Sequence, residues 1–362
     1  MRAAVLLPVL AGKDAVGTDT LAMTAILEDC GIETRVFCMS AAGMDRRVWA
    51  PEKLVDFAGG PDDLVIYHYS TGWPLAVDLL KRCRGYRVVR YHNITPPEFF
   101  KDISVDYERA CRSGREEIAR IARLGCEKYI GASAYNLEEL VAAGAPRERG
   151  EVLAPFHRVA QMLEAEADVE LLGELCDGAK NFLMVGRVAP NKGHLDLVEA
   201  FSAYARSHDE AVRLIVVGKS DPRLSVYTDA IRARIEELDL VDSVRWIEGA
   251  SEAQLKAAYL ASHVFMLMSE HEGFCVPLIE AMALGTPIVA RASSAIPETL
   301  GPAGISWDEA DPWLHAASAA RVFSDEALRS AMREAGFARY ADRFDNQVLR
   351  RRFLGMLEGV LR

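Results

Sequence analysis

Two glutamates, Glu272 and Glu280, stand in the run Met268 to Gly285 with seven residues between them, and Gly273 and Pro277 lie inside that interval. Pro277 suits the first turn of a helix, because its fixed φ fits there and its missing N–H has no intrahelical partner to lose. The predicted helix runs from Pro277 to Leu284 and stops at Gly285. Ahead of it Gly273 permits close backbone approach, and the free amides of residues 273 to 278 lie at the positive end of the helix dipole. Phosphate suits those amides, and sugar or ribose hydroxyls suit the two carboxylates. In a chain this acidic, chance also produces two glutamates at such a spacing.

A second run, Phe182 to Gly193, reads as a buried strand entering a helix, with Gly186 and Arg187 at the strand's carboxyl end and Lys192 before Gly193. Two cations beside a helix N-terminus can hold a diphosphate and offset the charge that develops as it leaves. Solvated loop cations are the plain alternative. In the first half, His68 and the pair His92-Asn93 follow hydrophobic strands, where the ligand edge of a sheet falls; a satisfied structural histidine is the competing reading. Gly12 and Gly17 follow the first strand with the glycine spacing of a phosphate loop, but Thr18-Asp19 stand where Lys-Ser or Lys-Thr is required, so a flexible turn is expected. No Asp-x-Asp, Cys-x-x-Cys or Gly-x-Ser-x-Gly occurs. No metal site is therefore expected, and the commonest hydrolase pattern is missing.

These residues need parallel α/β layers to hold them, and strand-like and helix-like segments alternate throughout. Strands are expected at residues 3–9, 33–38, 64–68, 87–91 and 128–131, with helices at 18–30, 73–83, 105–124 and 134–143. A second series has strands at 181–186, 212–218, 243–248, 264–268 and 287–290, with helices at 194–207, 227–238, 252–261 and 277–284. Between them, residues 153–178 read as a polar connection. The predicted domains are 1–158 and 179–343, each a doubly wound Rossmann-like sheet, the two facing each other across a cleft with the carboxyl ends of their strands. A last helix from Phe344 to Leu361 places Phe344, Val348, Phe353, Leu357 and Val360 or Leu361 at helical spacing.

A length of 362 residues exceeds what one core usually serves. The net charge of −11 disfavours a nucleic-acid-binding surface, and seven cysteines without metal-ligand spacing fit a reducing, cytoplasmic compartment. The opening apolar run imitates a signal peptide, but Pro8 and the segment Gly12-Lys13-Asp14 break it early, as a short buried strand would. No stretch approaches the roughly 20 apolar residues that span a bilayer. Membrane contact would be peripheral, and the basic run Lys81 to Arg87 is the segment for it, against a solvated helix end.

Taken together, Glu272-Gly273-Phe274, Pro277, Glu280-Ala281, Gly285-Thr286-Pro287 and Pro297-Glu298, with Gly186-Arg187 and Lys192-Gly193, resemble the retaining glycosyltransferases of the GT-B fold, family GT4. The resemblance covers roughly residues 180 to 300 strongly and the first domain more weakly. Tyr91 to Phe99 is similar to a segment of bacterial members that build surface polysaccharides. The resemblance implies a nucleotide-sugar donor, UDP- or GDP-linked, and a glycan or lipid-linked acceptor, with no other cofactor. Arg187 and Lys192 would grip the diphosphate, Glu272 would contact the transferred sugar and Glu280 the ribose. The amides of Gly273, Phe274, Cys275 and Val276 would meet sugar hydroxyls and phosphate, with Cys275 standing where many members have glycine. Gly12 would approach the donor through its backbone and His92 would lie near the sugar, with Asn93 beside it. Ile247 to Gly249 would meet the base, and the last helix would cross back onto the first domain.

The reaction so implied is metal-independent transfer of a hexose, mannose or glucose, with retention. No residue pair has a nucleophile-plus-base role, so a same-face path is expected in which the leaving diphosphate takes the acceptor's proton. The alternatives are a sugar-nucleotide epimerase of similar fold and a non-catalytic partner that binds nucleotide sugars.

Overall fold

The computed structural model describes residues 1–12, 14–42 and 47–359. It divides into two compact units. The first comprises Met1–Glu98, Tyr107–His157 and Asn346–Arg362, and the second Phe99–Asp106 and Arg158–Asp345. Among the described residues each unit is built on one six-stranded parallel sheet.

In the first unit the strands are β1 (Arg2–Leu6), β3 (Glu33–Phe37), β5 (Leu64–Tyr69), β6 (Tyr86–Tyr91), β7 (Lys128–Gly131) and β8 (Gly150–Val152), in spatial order β3-β1-β5-β6-β7-β8. Two short strands, β2 (Val9–Ala11) and β4 (Ser40–Ala42), pair separately. β5 is buried at every residue, which is why its sequence is a near-continuous apolar run: both sheet faces are covered. The first strand is shorter than predicted and ends at Leu6, because the chain turns at Leu7-Pro8 before β2. Gly17 lies inside the Ala15–Asp29 helix, not in a loop. The helix begins early because Asp14 caps it, accepting from the Gly17 amide at 2.6 Å. A Cβ on Gly17 would meet the Ala11 carbonyl oxygen at 1.7 Å, so the close approach of helix and strand requires glycine there.

The second unit has β9 (Lys180–Val185), β10 (Val212–Val217), β11 (Val244–Ile247), β12 (Val264–Leu267), β13 (Ile288–Arg291) and β14 (Gly304–Trp307), in order β11-β10-β9-β12-β13-β14. This is the doubly wound order that reverses between β9 and β12. The polar segment expected to be a plain connection holds two short helices, Val159–Glu164 and Val169–Leu175, whose buried Val159, Met162, Leu171 and Leu175 give them an apolar side. Both belong to the second unit. The last helix is Asn346–Met356, shorter than predicted, and its buried positions are Leu349 and Phe353, followed by Leu357, instead of Val348. Phe344 lies before it and packs edge-on against Phe274 of the second unit. Val360 and Leu361 lie outside the described residues.

Candidate active site

The reversal of strand order brings the loops after β9 and β12 side by side, and the strongest cluster of predicted residues forms there. Lys192 donates to both carboxylate oxygens of Glu272, at 2.7 and 2.8 Å. Ser269 Oγ donates to the same carboxylate at 2.9 Å, and the Glu272 amide donates to Ser294 Oγ at 2.7 Å. Glu272 is almost buried and Lys192 only one-fifth exposed. The pair is preorganised by Asn191, whose carbonyl accepts from the amides of Glu270 and His271 and whose side chain donates to the His271 carbonyl. Gly193, at φ 65°, lets the chain enter the His194–Ser207 helix; a Cβ there would lie 2.0 Å from the Met268 carbonyl oxygen. Arg187 is exposed at the start of the same loop, one residue after Gly186. Asn191, Ser269 and Ser294 carry the positioning, and they went unread because neutral residues in loops have no spacing signature.

The helix predicted from Pro277 begins at Val276 and ends at Leu284, with Cys275 as its N-cap. Cys275 has φ 76°, a left-handed backbone that glycine adopts freely and a side chain does not. Burial, with Glu272 nearby, pushes its thiol well above the usual range, so the sulfur is an inert filler. Phe274 is fastened by Thr299, whose hydroxyl donates to its carbonyl at 2.7 Å, and Gly273 and Val276 are half-buried beside it. Glu280 lies one turn inside the helix and accepts from the Tyr259 hydroxyl at 2.8 Å. Removal from water raises its pKa to about 7, against the opposing pull of that hydrogen bond. Helix amides and a lysine beside two carboxylates are groups that can hold a polyhydroxylated anion.

In the first unit, Gly12 lies half-buried in the turn between β2 and the Ala15–Asp29 helix. His92 follows β6 and lies 2.9 Å through Nε2 from His68 Nδ1. Both rings flank Asp19, which is bound to Arg90 at 2.8 Å. A charged residue inside the apolar run Val88-Val89-Arg90-Tyr91 was the signal for this cluster. Asp19, His68 and His92 each offer an atom within metal-ligating reach of the others. Arg90 is already seated on the carboxylate, however, and a divalent cation would lie beside a buried guanidinium. Asn93, at φ 78°, spends its side-chain amide on Asn136 and Glu139, at 2.9 and 3.0 Å. Of the basic run at residues 81–87, Arg87 is paired with Glu127, while Lys81, Arg82 and Arg84 are exposed. Among the described residues no helix is long and apolar enough to cross a membrane.

Residues 173–339 match the family model described as glycosyl transferases group 1. A stretch of 112 residues is 35% identical to mannosylfructose-phosphate synthase of Agrobacterium fabrum, covering 30% of this chain and 25% of that protein. A longer stretch of 249 residues is 28% identical to the GDP-mannose:cellobiosyl-diphosphopolyprenol alpha-mannosyltransferase of Xanthomonas oryzae, covering 63% of this chain and 61% of that one. These matches span less than two thirds of the relatives' own lengths. HepE of Anabaena, crystallised in complex with UDP-glucose, superposes with a TM-score of 0.78 at 15% identity, over 99% of this chain and 100% of that one. At that identity the likeness is one of fold.

Proposed function

We propose, from the premise that this chain is a GT-B glycosyltransferase of the group 1 type, that it moves a hexose from a UDP- or GDP-sugar to a glycan or lipid-linked acceptor with retention and without a divalent cation. The observation that carries the reading is the Lys192–Glu272 pair held beside the Val276–Leu284 helix N-terminus. One arm of the pair suits the diphosphate and the other the sugar. Lys192, Arg187 and the helix amides supply the positive charge that a metal ion supplies elsewhere, which agrees with a chain that lacks Asp-x-Asp. Glu280 serves the ribose.

The chemistry follows from charge. As the glycosidic C–O bond to the diphosphate breaks, negative charge grows on the departing phosphate, and prepositioned donors stabilise it without reorganising. The same phosphate oxygen takes the proton of the acceptor hydroxyl as that hydroxyl attacks the face being vacated, so the configuration is kept. The mannosyl transfer named for the Xanthomonas relative and the UDP-glucose bound to HepE support a nucleotide-linked hexose as donor.

The test is a thermal-shift panel of UDP, GDP, ADP and their sugars, followed by NMR of the product's anomeric proton with EDTA present. The expected outcome is stabilisation by one nucleotide series and a product of the donor's anomeric configuration. Inversion, or an absolute need for a divalent cation, overturns the mechanism. Conversion of the donor to an epimer without acceptor indicates an epimerase. Donor binding without transfer or hydrolysis indicates a binding partner.

A further inference from the structure

The first unit buries one acid, one arginine and two histidines in contact, and the pleat explains how. Arg90 and His92 lie two residues apart and so share one face of the sheet, and His68 on β5 is the register partner of Arg90 on β6. The Ala15–Asp29 helix brings Asp19 to that face. Oδ2 of Asp19 accepts from Arg90 Nε and Oδ1 accepts from the Phe156 amide, both at 2.8 Å. Arg90 also donates to the Leu153 carbonyl at 2.7 Å. One guanidinium thus matches one carboxylate, and a protonated imidazole would add an unmatched cation to a nearly sealed cluster. Burial accordingly drives the pKa of His68 down to about 4 and that of His92 well below its usual value. Each ring is neutral and carries a single N–H.

The 2.9 Å contact between His68 Nδ1 and His92 Nε2 needs one donor and one acceptor. If His92 were the donor, the proton of His68 would sit on Nε2, which is buried without a partner. Folded proteins avoid a sealed, unpaired N–H more strongly than a spare lone pair. With His68 as donor, its Nε2 is only a lone pair; Asp19 Oδ2 does not choose between the rings, lying 3.8 Å from His68 Nδ1 and 3.5 Å from His92 Nε2, so the sealed Nε2 decides. His92 must then carry its proton on Nδ1. That nitrogen has no hydrogen-bond partner among the described residues, and the His92 side chain keeps 5% exposure, whereas those of His68 and Asp19 are sealed.

We propose that His68 is a positioning residue: by donating from Nδ1 to His92 Nε2 it locks His92 as the neutral Nδ1–H tautomer, which offers one N–H to a hydroxyl of the transferred sugar. The contact with the sugar nucleotide rests on the function proposed above, whereas the lock does not. In this tautomer both nitrogens of His92 are committed, one accepting and one donating. His92 therefore has no lone pair for the acceptor's proton, which leaves that proton to the departing phosphate.

Long-range 1H–15N correlation spectra of the intact, histidine-labelled chain read the tautomer directly, with His92→Gln assigning the signals. The wild-type chain is expected to show His92 protonated at Nδ1 and bare at Nε2 between about pH 6 and 8. His68→Asn keeps an N–H near the position of Nδ1 and preserves the pattern, whereas His68→Leu releases His92 to a mixture of tautomers. In transfer assays His68→Leu should lower kcat/KM for the sugar nucleotide about tenfold, as loss of a partner that orients a functional histidine does. Affinity for the free nucleoside diphosphate should not change, and His68→Asn should recover most of the loss. An Nε2–H tautomer of His92 in the wild type, or an unchanged pattern in His68→Leu, overturns the lock whatever the assays show. If His68→Leu does not fold, the wild-type and His68→Asn spectra decide. A lock found intact in a chain that transfers no sugar counts instead against the proposed function.

Discussion

At the scale of single residues, Lys192 and Glu280 bear the most consequence. Under the proposed function Lys192→Ala removes a donor to the leaving diphosphate and should cost about 2 to 4 kcal/mol of transition-state stabilisation, seen as a fall in kcat/KM. Near-normal transfer would sink the diphosphate assignment. The same change strands Glu272, nearly buried, without its counterion. The double variant Lys192→Ala/Glu272→Gln should therefore melt higher than Lys192→Ala alone, which calorimetry can measure. Glu280 provides a pH signature. Its folded pKa, raised by burial from the ordinary 4.5 to about 7, means the folded state holds the proton more tightly. Its stabilising contribution is complete below about pH 4.5 and is lost as pH rises through 7. Glu280→Gln should flatten that stretch of the stability profile and be more stable than the wild type at pH 8, by on the order of 1 to 3 kcal/mol. If the two profiles run parallel from pH 5 to 8, the shift is wrong. Lys192 and Glu272 were legible in the sequence as residue types beside a helix start, but their mutual contact was not, because the two lie 80 residues apart.

At the scale of elements, the Val276–Leu284 helix and its left-handed entry decide how the donor amides are aimed. Cys275 holds φ 76°, where a Cβ costs about 1 to 2 kcal/mol. Cys275→Gly and Cys275→Ala both delete the thiol, so their difference isolates the backbone. The glycine variant should be the more stable by about 1 kcal/mol, the reverse of the usual helix order, and retain transfer. An alanine variant of equal or higher melting temperature would contradict the geometry. The helix itself was readable from Pro277 and Gly285, since each imposes a backbone preference locally. Strands were readable for a similar reason: β5, β9, β10 and β12 are short apolar runs between turn residues, as strands covered on both faces must be. The short helices at Val159–Glu164 and Val169–Leu175 were not, because a helix of two turns shows too few apolar positions to establish a period.

At the scale of the whole molecule, the chain returns to its first unit at Asn346. Asn346 donates to the His157 carbonyl at 2.7 Å, Phe353 packs edge-on against Phe156, and Leu349, Phe353 and Leu357 are buried. Deleting residues 346–362 should thus destabilise the first unit by several kcal/mol, since each large core side chain removed costs about 2 to 5. Limited proteolysis is expected to cut within residues 1–157 while residues 158–345 stay intact; cleavage confined to residues 158–345 would refute the assignment. The alternating α/β pattern, the acidic balance and the order of the motifs were properties of the sequence alone, because periodicity, charge and local backbone preference act within a few residues. The partners of each side chain were not. Lys192 meets Glu272 only because the strand order reverses between β9 and β12, and His68 meets Arg90 only because β5 and β6 pair in that register. Strand order and register are set by burying whole faces at once, so the tertiary structure alone decided which charges touch.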